Sequence, residues 1–218
     1  AASGLQVVSF NFLNQERQLS WPIHWNDPQW SRLWQFHLHY FDWAREWLND
    51  AISTGQWPDQ SATLQLLIDS WIASNSPGCG DGWHSYTLSL RTRNWIALFR
   101  GCPALATPER LQSLWQQLCW LQAHPEHCHG GNHWLENLTA LAIGGLQFDG
   151  PKATRIHRRA MFLLQLELRQ QLLSDGGHEE RSASYHLLML DRLAELAHAL
   201  QSATGDQPPW LVESIKAM

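Results

Sequence analysis

The sequence predicts an all-α fold on three observations. Helix-start signals recur along the chain, Gly-rich joints separate the apolar-periodic runs that they open, and only one short segment alternates as a strand would. That segment is Leu5 to Phe12, and residues 1–26 read as an irregular or extended lead-in. Asp27-Pro28 then opens the run Gln29 to Ile52, with Asp suited to an N-cap and Pro preset for the first helical turn. Trp57-Pro58 does the same before Leu64 to Leu67. Thr107-Pro108 leads into Leu111, Leu114, Trp115 and Leu118, four apolar positions on one helical face. Further helices are expected over Thr87 to Phe99, Asn132 to Leu146, Lys152 to Leu173 and Ser184 to Ala203, with a short last one after Pro208-Pro209. The expectation is about eight helices with short connectors, in a single helical domain over residues 1–218.

Composition narrows the function classes. Fifteen Lys and Arg against 20 Asp and Glu give a net charge of −5, which disfavours a nucleic-acid partner, because such a partner demands a basic excess. Hydrophobic residues at 44% support a sizeable core. No run of about 18 apolar residues is present, so no membrane span is expected. The start, Ala1-Ala2-Ser3, has neither an initiator Met nor the layout of a signal peptide and says nothing of compartment. Cys79, Cys102, Cys119 and Cys128 are too widely spaced for a Cys-x-x-Cys site and read as packing residues. The unusual entries are 14 Trp and 12 His.

Two polar clusters carry possible chemistry. His124 to Asn137 holds Gly130-Gly131 followed by Asn132 and His133, which would sit at a helix N-terminus where outward backbone amides favour a carboxylate. A plain N-cap at Asn132 is the alternative. Ser174 to His186 repeats the design, with Gly176-Gly177 before His178, Glu179, Glu180, Arg181 and Tyr185; a solvated loop is the alternative here. His129 and His133 have metal-ligand spacing, with His124 and His127 near, but Gly130 and Gly131 interrupt the stretch, so no metal is expected. Nucleotide-binding and serine-hydrolase signatures are absent, and no cofactor is expected. An inverting glycosidase would need two carboxylates, which Glu136, Asp175, Glu179 and Glu180 could supply.

Four ordered stretches resemble the N-terminal helical part of the heparinase II/III-like polysaccharide lyases, a group that includes alginate lyases. They are Leu33 to Trp43, Tyr86 to Ile96, Asn132 to Asn137 and Asp175 to His186, and together they span about Phe10 to Leu200. The resemblance implies an incomplete (α/α) toroid of antiparallel helical hairpins. In the family this continues into a C-terminal β-sandwich, which is missing here, and a sandwich histidine commonly helps to build the cleft. The implied activity is that of a carbon–oxygen lyase cleaving an acidic, uronic-acid polysaccharide by β-elimination, in the periplasm or outside the cell. By resemblance Asn132 and His133 neutralise the substrate carboxylate, with His133 also a candidate base, and Tyr185 protonates the leaving oxygen. Arg181, one turn before Tyr185, and His178 are implied substrate contacts, and Trp83, Trp134, Tyr40 and His39 are implied to line the sugar cleft. Arg91 and Arg93 lie in the second stretch, one expected to meet the polyanion and one to be structural. Gly131 departs from relatives that often carry Asn there. The alternatives are a non-catalytic carbohydrate-binding or structural helical fragment, and a glycosidase-like hydrolase.

Overall fold

A computed structural model describes residues 7–54, 57–126 and 131–218, with backbone only for residues 57–60. Nine α-helices and one β-hairpin are present among the described residues, so the fold is all-α apart from the hairpin. Strand β1 (Val7–Phe12) is the segment whose alternation predicted it, and it buries Val8 and Phe10. Strand β2 (Gln15–Ser20) pairs antiparallel with it across a turn whose central residues, Leu13 and Asn14, both have positive φ. The sequence hides β2 because only Leu19 is buried within it.

The helices are α1 (Arg32–Tyr40), α2 (Asp42–Thr54), α3 (Trp57–Ser74), α4 (Ser85–Gly101) and α5 (Pro108–Ala123), followed by α6 (Gly131–Gly145), α7 (Pro151–Gln171), α8 (Ala183–Thr204) and α9 (Pro209–Ala217). The run expected over Gln29 to Ile52 is thus two helices. Phe41 adopts a left-handed conformation (φ 63°) that ends α1, and the Asn94 side chain donates to the Tyr40 carbonyl (2.8 Å) and the Asp42 carboxylate (2.6 Å) at the corner.

The described chain divides into two compact units, one ending at Trp120 and one beginning at Leu121. The first has an aromatic core. Trp25, Trp34, Trp71, Trp95 and Phe41 are essentially inaccessible, and Phe41, Trp71 and Trp95 meet edge to face at 5.5 to 6.4 Å. The hairpin packs Phe10 against Trp43 and Trp47, and Phe12 against Trp34. Arg91 is fully buried here, its guanidinium 3.8 Å from the Trp71 ring centroid and donating to Gln117 and the His39 carbonyl. Complete burial holds that guanidinium well below the usual arginine range. Arg93 is buried as well, so neither arginine of the second stretch faces solvent.

In the second unit α6 is buried almost throughout and packs against α7 and α8. Its Glu136, wholly inaccessible, accepts a 2.6 Å hydrogen bond from Arg192 of α8. Burial alone would lower the Arg192 guanidinium, but Glu136 outweighs it and holds the group above its ordinary value. Cys102 is buried, Cys119 half-buried and Cys79 exposed, all as free thiols, while Cys128 lies outside the described residues. Cys79 is thus not the packing residue that the sequence suggested.

Candidate functional site

The second unit brings the two polar clusters together. Helix α6 begins at Gly131 (φ 53°), which places Asn132 and His133 in its first turn, both half-buried. The Asn132 amide makes no hydrogen bond among the described residues. His133 Nδ1 lies 3.5 Å from the Glu126 carboxylate, and the Glu126 backbone N–H is in turn held by Asn137 Oδ1 at 2.8 Å. At this distance the two groups make an electrostatic contact rather than a hydrogen bond. His127 and His129 lie outside the described residues, and elsewhere no group of three or more His, Cys, Asp or Glu is placed to hold a metal.

The second cluster is a tight loop between α7 and α8. Leu172 and His178 form an antiparallel bridge, Leu173 donates its N–H to the Gly177 carbonyl (2.8 Å), and Asp175 Oδ1 accepts from the Gly177 N–H (2.9 Å). Gly176 turns with φ 83°, and a β-carbon there would strike the Ala217 carbonyl, so this position requires glycine on two counts. Arg181 is also left-handed (φ 51°), an uncommon conformation for a non-glycine residue. The loop and the start of α8 enclose an open cleft of about 470 Å³ lined by Asp175, His178, Arg181, Ser182 and His186. Tyr185 stands beside it, 38% exposed, with its ring 6.5 Å from that of His178 and its hydroxyl unpaired among the described residues.

Gln171, buried at the end of α7, joins the two clusters and was not singled out in the sequence. Its amide donates to the Gly131 carbonyl (3.2 Å) and to Glu167 (2.7 Å), and its oxygen lies 3.1 Å from His178 Nε2. His178 Nδ1 accepts from the Glu180 N–H (3.2 Å), so Nε2 carries the proton and donates to Gln171. One glutamine thus fixes the residue before Asn132 and the loop before Tyr185. The positive φ of Gly131 (53°) favours glycine, and a β-carbon there would also sit 3.0 Å from a carboxylate oxygen of the Glu180 side chain.

The remaining expected sugar contacts are buried. His178 is 3% exposed with both ring nitrogens engaged inside the loop. His39 is inaccessible, accepting from Trp71 Nε1 (2.9 Å) and paired with Asn26 Oδ1 (3.2 Å). Burial, reinforced by the nearby Arg91 charge, pushes its pKa down to about 3. Trp83 donates its indole N–H to the Asn75 carbonyl within the core, and Tyr40 packs between Phe36, His37 and Tyr86. Within their unit these three side chains are filled-in core, the outcome that close packing of large rings favours. Trp134 is buried on the α7 side of α6, lining a separate cavity of about 270 Å³ with Gln122 and Arg159. Of the hydrolase carboxylates, Glu136 is committed to Arg192 inside the fold.

Comparison with known proteins agrees with the fold. A heparan sulfate lyase from Pedobacter heparinus superposes with a TM-score of 0.74 at 19% identity, over 93% of this chain and 34% of that one. Heparinase III superposes at 0.72 and 20% identity, over 89% of this chain and 32% of its own. FtsZ-localized protein C of Caulobacter vibrioides is 26% identical over 186 residues, 85% of this chain and 31% of that protein. The chain therefore spans about a third of the length of each of these relatives. The sequence model named Heparinase II/III N-terminus matches residues 4–208, nearly the whole chain, and the chain belongs to that family.

Proposed function

We propose that this chain is the helical part of a polysaccharide lyase that cleaves a uronic-acid glycan by β-elimination. The observation that carries the reading is the pair of uncommitted polar groups at the starts of α6 and α8, the Asn132 amide and the Tyr185 phenol, on loops tied together by Gln171. In the reaction the C5–H bond breaks, a C4=C5 double bond forms and the C4–oxygen bond breaks. The C5 proton is weakly acidic while the adjacent carboxylate keeps its charge, so charge must be neutralised as the enolate-like state develops. Asn132, His133 and the exposed Arg181 guanidinium are the groups for that task, and Tyr185 delivers a proton to the departing O4. The C5 proton passes either to His133, with Asn132 and Arg181 then carrying the neutralisation, or to Tyr185, which hands that same proton on to O4. With His178, His39, Trp83 and Tyr40 committed to packing, the substrate contacts on this unit narrow to Arg181 and His186 at the cleft.

Since the chain covers about a third of its lyase neighbours, a further domain, β-rich by resemblance, is proposed to complete the cleft. No described helix is long and apolar enough to cross a membrane, and a polymeric substrate places the enzyme in the periplasm or outside the cell. A nonsulfated glycan fits this site best, since the cleft lining holds a single arginine, Arg181, among the described residues.

The test is to incubate the natural protein carrying this chain with a nonsulfated polyuronate and follow near-ultraviolet absorbance of unsaturated products. Tyr185→Phe is expected to lower the rate by roughly 100-fold or more; undiminished activity removes Tyr185 from the chemistry. Saturated reducing ends without absorbance indicate a hydrolase. A second reading, a non-catalytic binding or structural module, is favoured by the curated relative whose name records localisation with FtsZ rather than lyase activity. Glycan binding without any product supports it.

A further inference from the structure

Although the chain is acidic overall, helix α7 carries Lys152, Arg155, Arg158, Arg159 and Arg169 against the single acid Glu167. Arg155, Arg158 and Arg159 are exposed and line one cleft of about 640 Å³, together with Gln122, Thr154 and Phe162. Their spacing of three and four residues puts the guanidinium groups and the Phe162 ring on one stripe of the helix. None of the three arginines has an ion pair or hydrogen bond among the described residues. Like charges at this spacing repel, so the arrangement costs stability until a counter-charge arrives. Phe162 is 60% exposed beside them, an aromatic face left uncovered. The opposite side of α7, Ala153, Ile156, Ala160, Leu164 and Leu168, is already buried and faces the fold.

We infer that this cleft is a second binding site, for a segment of acidic saccharide, away from the Asn132 and Tyr185 loops. It rests on the proposed lyase reading only for the acidic character of the glycan. Planar guanidinium forks match carboxylate or sulfate bidentately. The Phe162 ring offers a surface to the apolar face of a sugar, and the Gln122 amide and Thr154 hydroxyl, which donates to the Gly150 carbonyl and keeps lone pairs free, suit sugar hydroxyls. The stripe from Pro151 to Phe162 is about 16 Å long, enough for a short oligosaccharide. A lipid surface fits less well, because a helix lying on a membrane presents a broad apolar face, whereas the large apolar residues exposed on this helix are Phe162 and Leu166, set among three arginines. The site would hold the polymer chain near the enzyme between cleavage events, raising its effective concentration.

Titration calorimetry of the Tyr185→Phe protein with oligogalacturonate and with heparin oligosaccharide measures binding without turnover. At least tenfold weaker binding is expected when Arg155, Arg158 and Arg159 are all changed to Gln, with a smaller loss for the corresponding Lys variant, which keeps charge without the fork. Asn132→Ala with Arg181→Ala should leave this binding in place. Tighter heparin binding assigns the site to sulfate, and equal binding assigns it to carboxylate. Unchanged affinity in the Gln variant overturns the inference, as does loss of phosphatidylglycerol vesicle binding in that variant with saccharide binding intact. Arginine-dependent binding, together with no unsaturated product from the protein that retains Tyr185, sinks the lyase reading and not this one; product formation without such binding does the reverse.

Discussion

Histidine shows how differently one residue type is used within this chain. His39 is sealed in the aromatic core as a neutral ring, with its pKa pushed to about 3, whereas His133 is partly open beside Glu126. Because the folded His39 value lies below the ordinary 6.5, its stabilising contribution is complete above about pH 6.5 and is lost as pH falls from there toward 3. His37, lowered by burial, adds in the same direction. Between pH 6 and 4.5, above most carboxylate titration, stability is expected to fall by about 1.4 kcal/mol per pH unit for the His39 proton. Urea midpoints across that range check this, with His39→Gln giving a shallower slope; equal slopes would assign the acid sensitivity elsewhere. The spacing of His37 and His39 in the sequence does not distinguish these fates, since burial is decided by which side of α1 meets Trp25 and Trp71.

At the level of elements, the second unit is locked by two polar devices between helices. The Glu136 carboxylate of α6 is wholly buried against Arg192 of α8, so Arg192→Ala leaves a buried charge uncompensated and should cost about 3–5 kcal/mol. Replacing both residues by Leu should recover most of that loss, which chemical denaturation of the single and double variants can show. Gln171 couples the end of α7 to the starts of the two functional loops. Gln171→Leu is expected to cost about 1–3 kcal/mol and to lower turnover more than it changes the melting temperature of the remaining helices, measured by kinetics alongside thermal unfolding. Most helices were legible in the sequence because Pro and Asp mark their starts and glycines separate them. The break at Phe41 was not, because a left-handed aromatic residue carries no signal in composition and is enforced by Asn94, more than fifty residues away.

Across the whole molecule, charge is distributed unevenly: an acidic chain concentrates five cationic residues on α7, and Arg155, Arg158 and Arg159 have no ion pair or hydrogen bond among the described residues. Net charge therefore misjudges how a polyanion would meet this protein, because binding depends on local potential. The abundance of Trp also changes meaning. Trp25, Trp34, Trp71 and Trp95 are fully buried packing elements, so the proposed sugar recognition rests on arginine, amide and phenol groups instead. The Asn132 amide and the Tyr185 phenol make no hydrogen bond among the described residues, in a chain that covers about a third of each relative.

The sequence by itself determined the helical class, the positions of most helices and the family, because capping residues, apolar periodicity and four ordered stretches are local properties of the chain. It also marked Asn132, His133, Arg181 and Tyr185 as chemically apt. Only the tertiary structure decided which of the candidate residues are available. His39, His178, Trp83 and Tyr40 have the same chemical aptitude, yet long-range packing spends their polar atoms and ring faces inside the fold. Gln171 acquires its role solely because the helix it ends meets two loops that lie far apart in the chain.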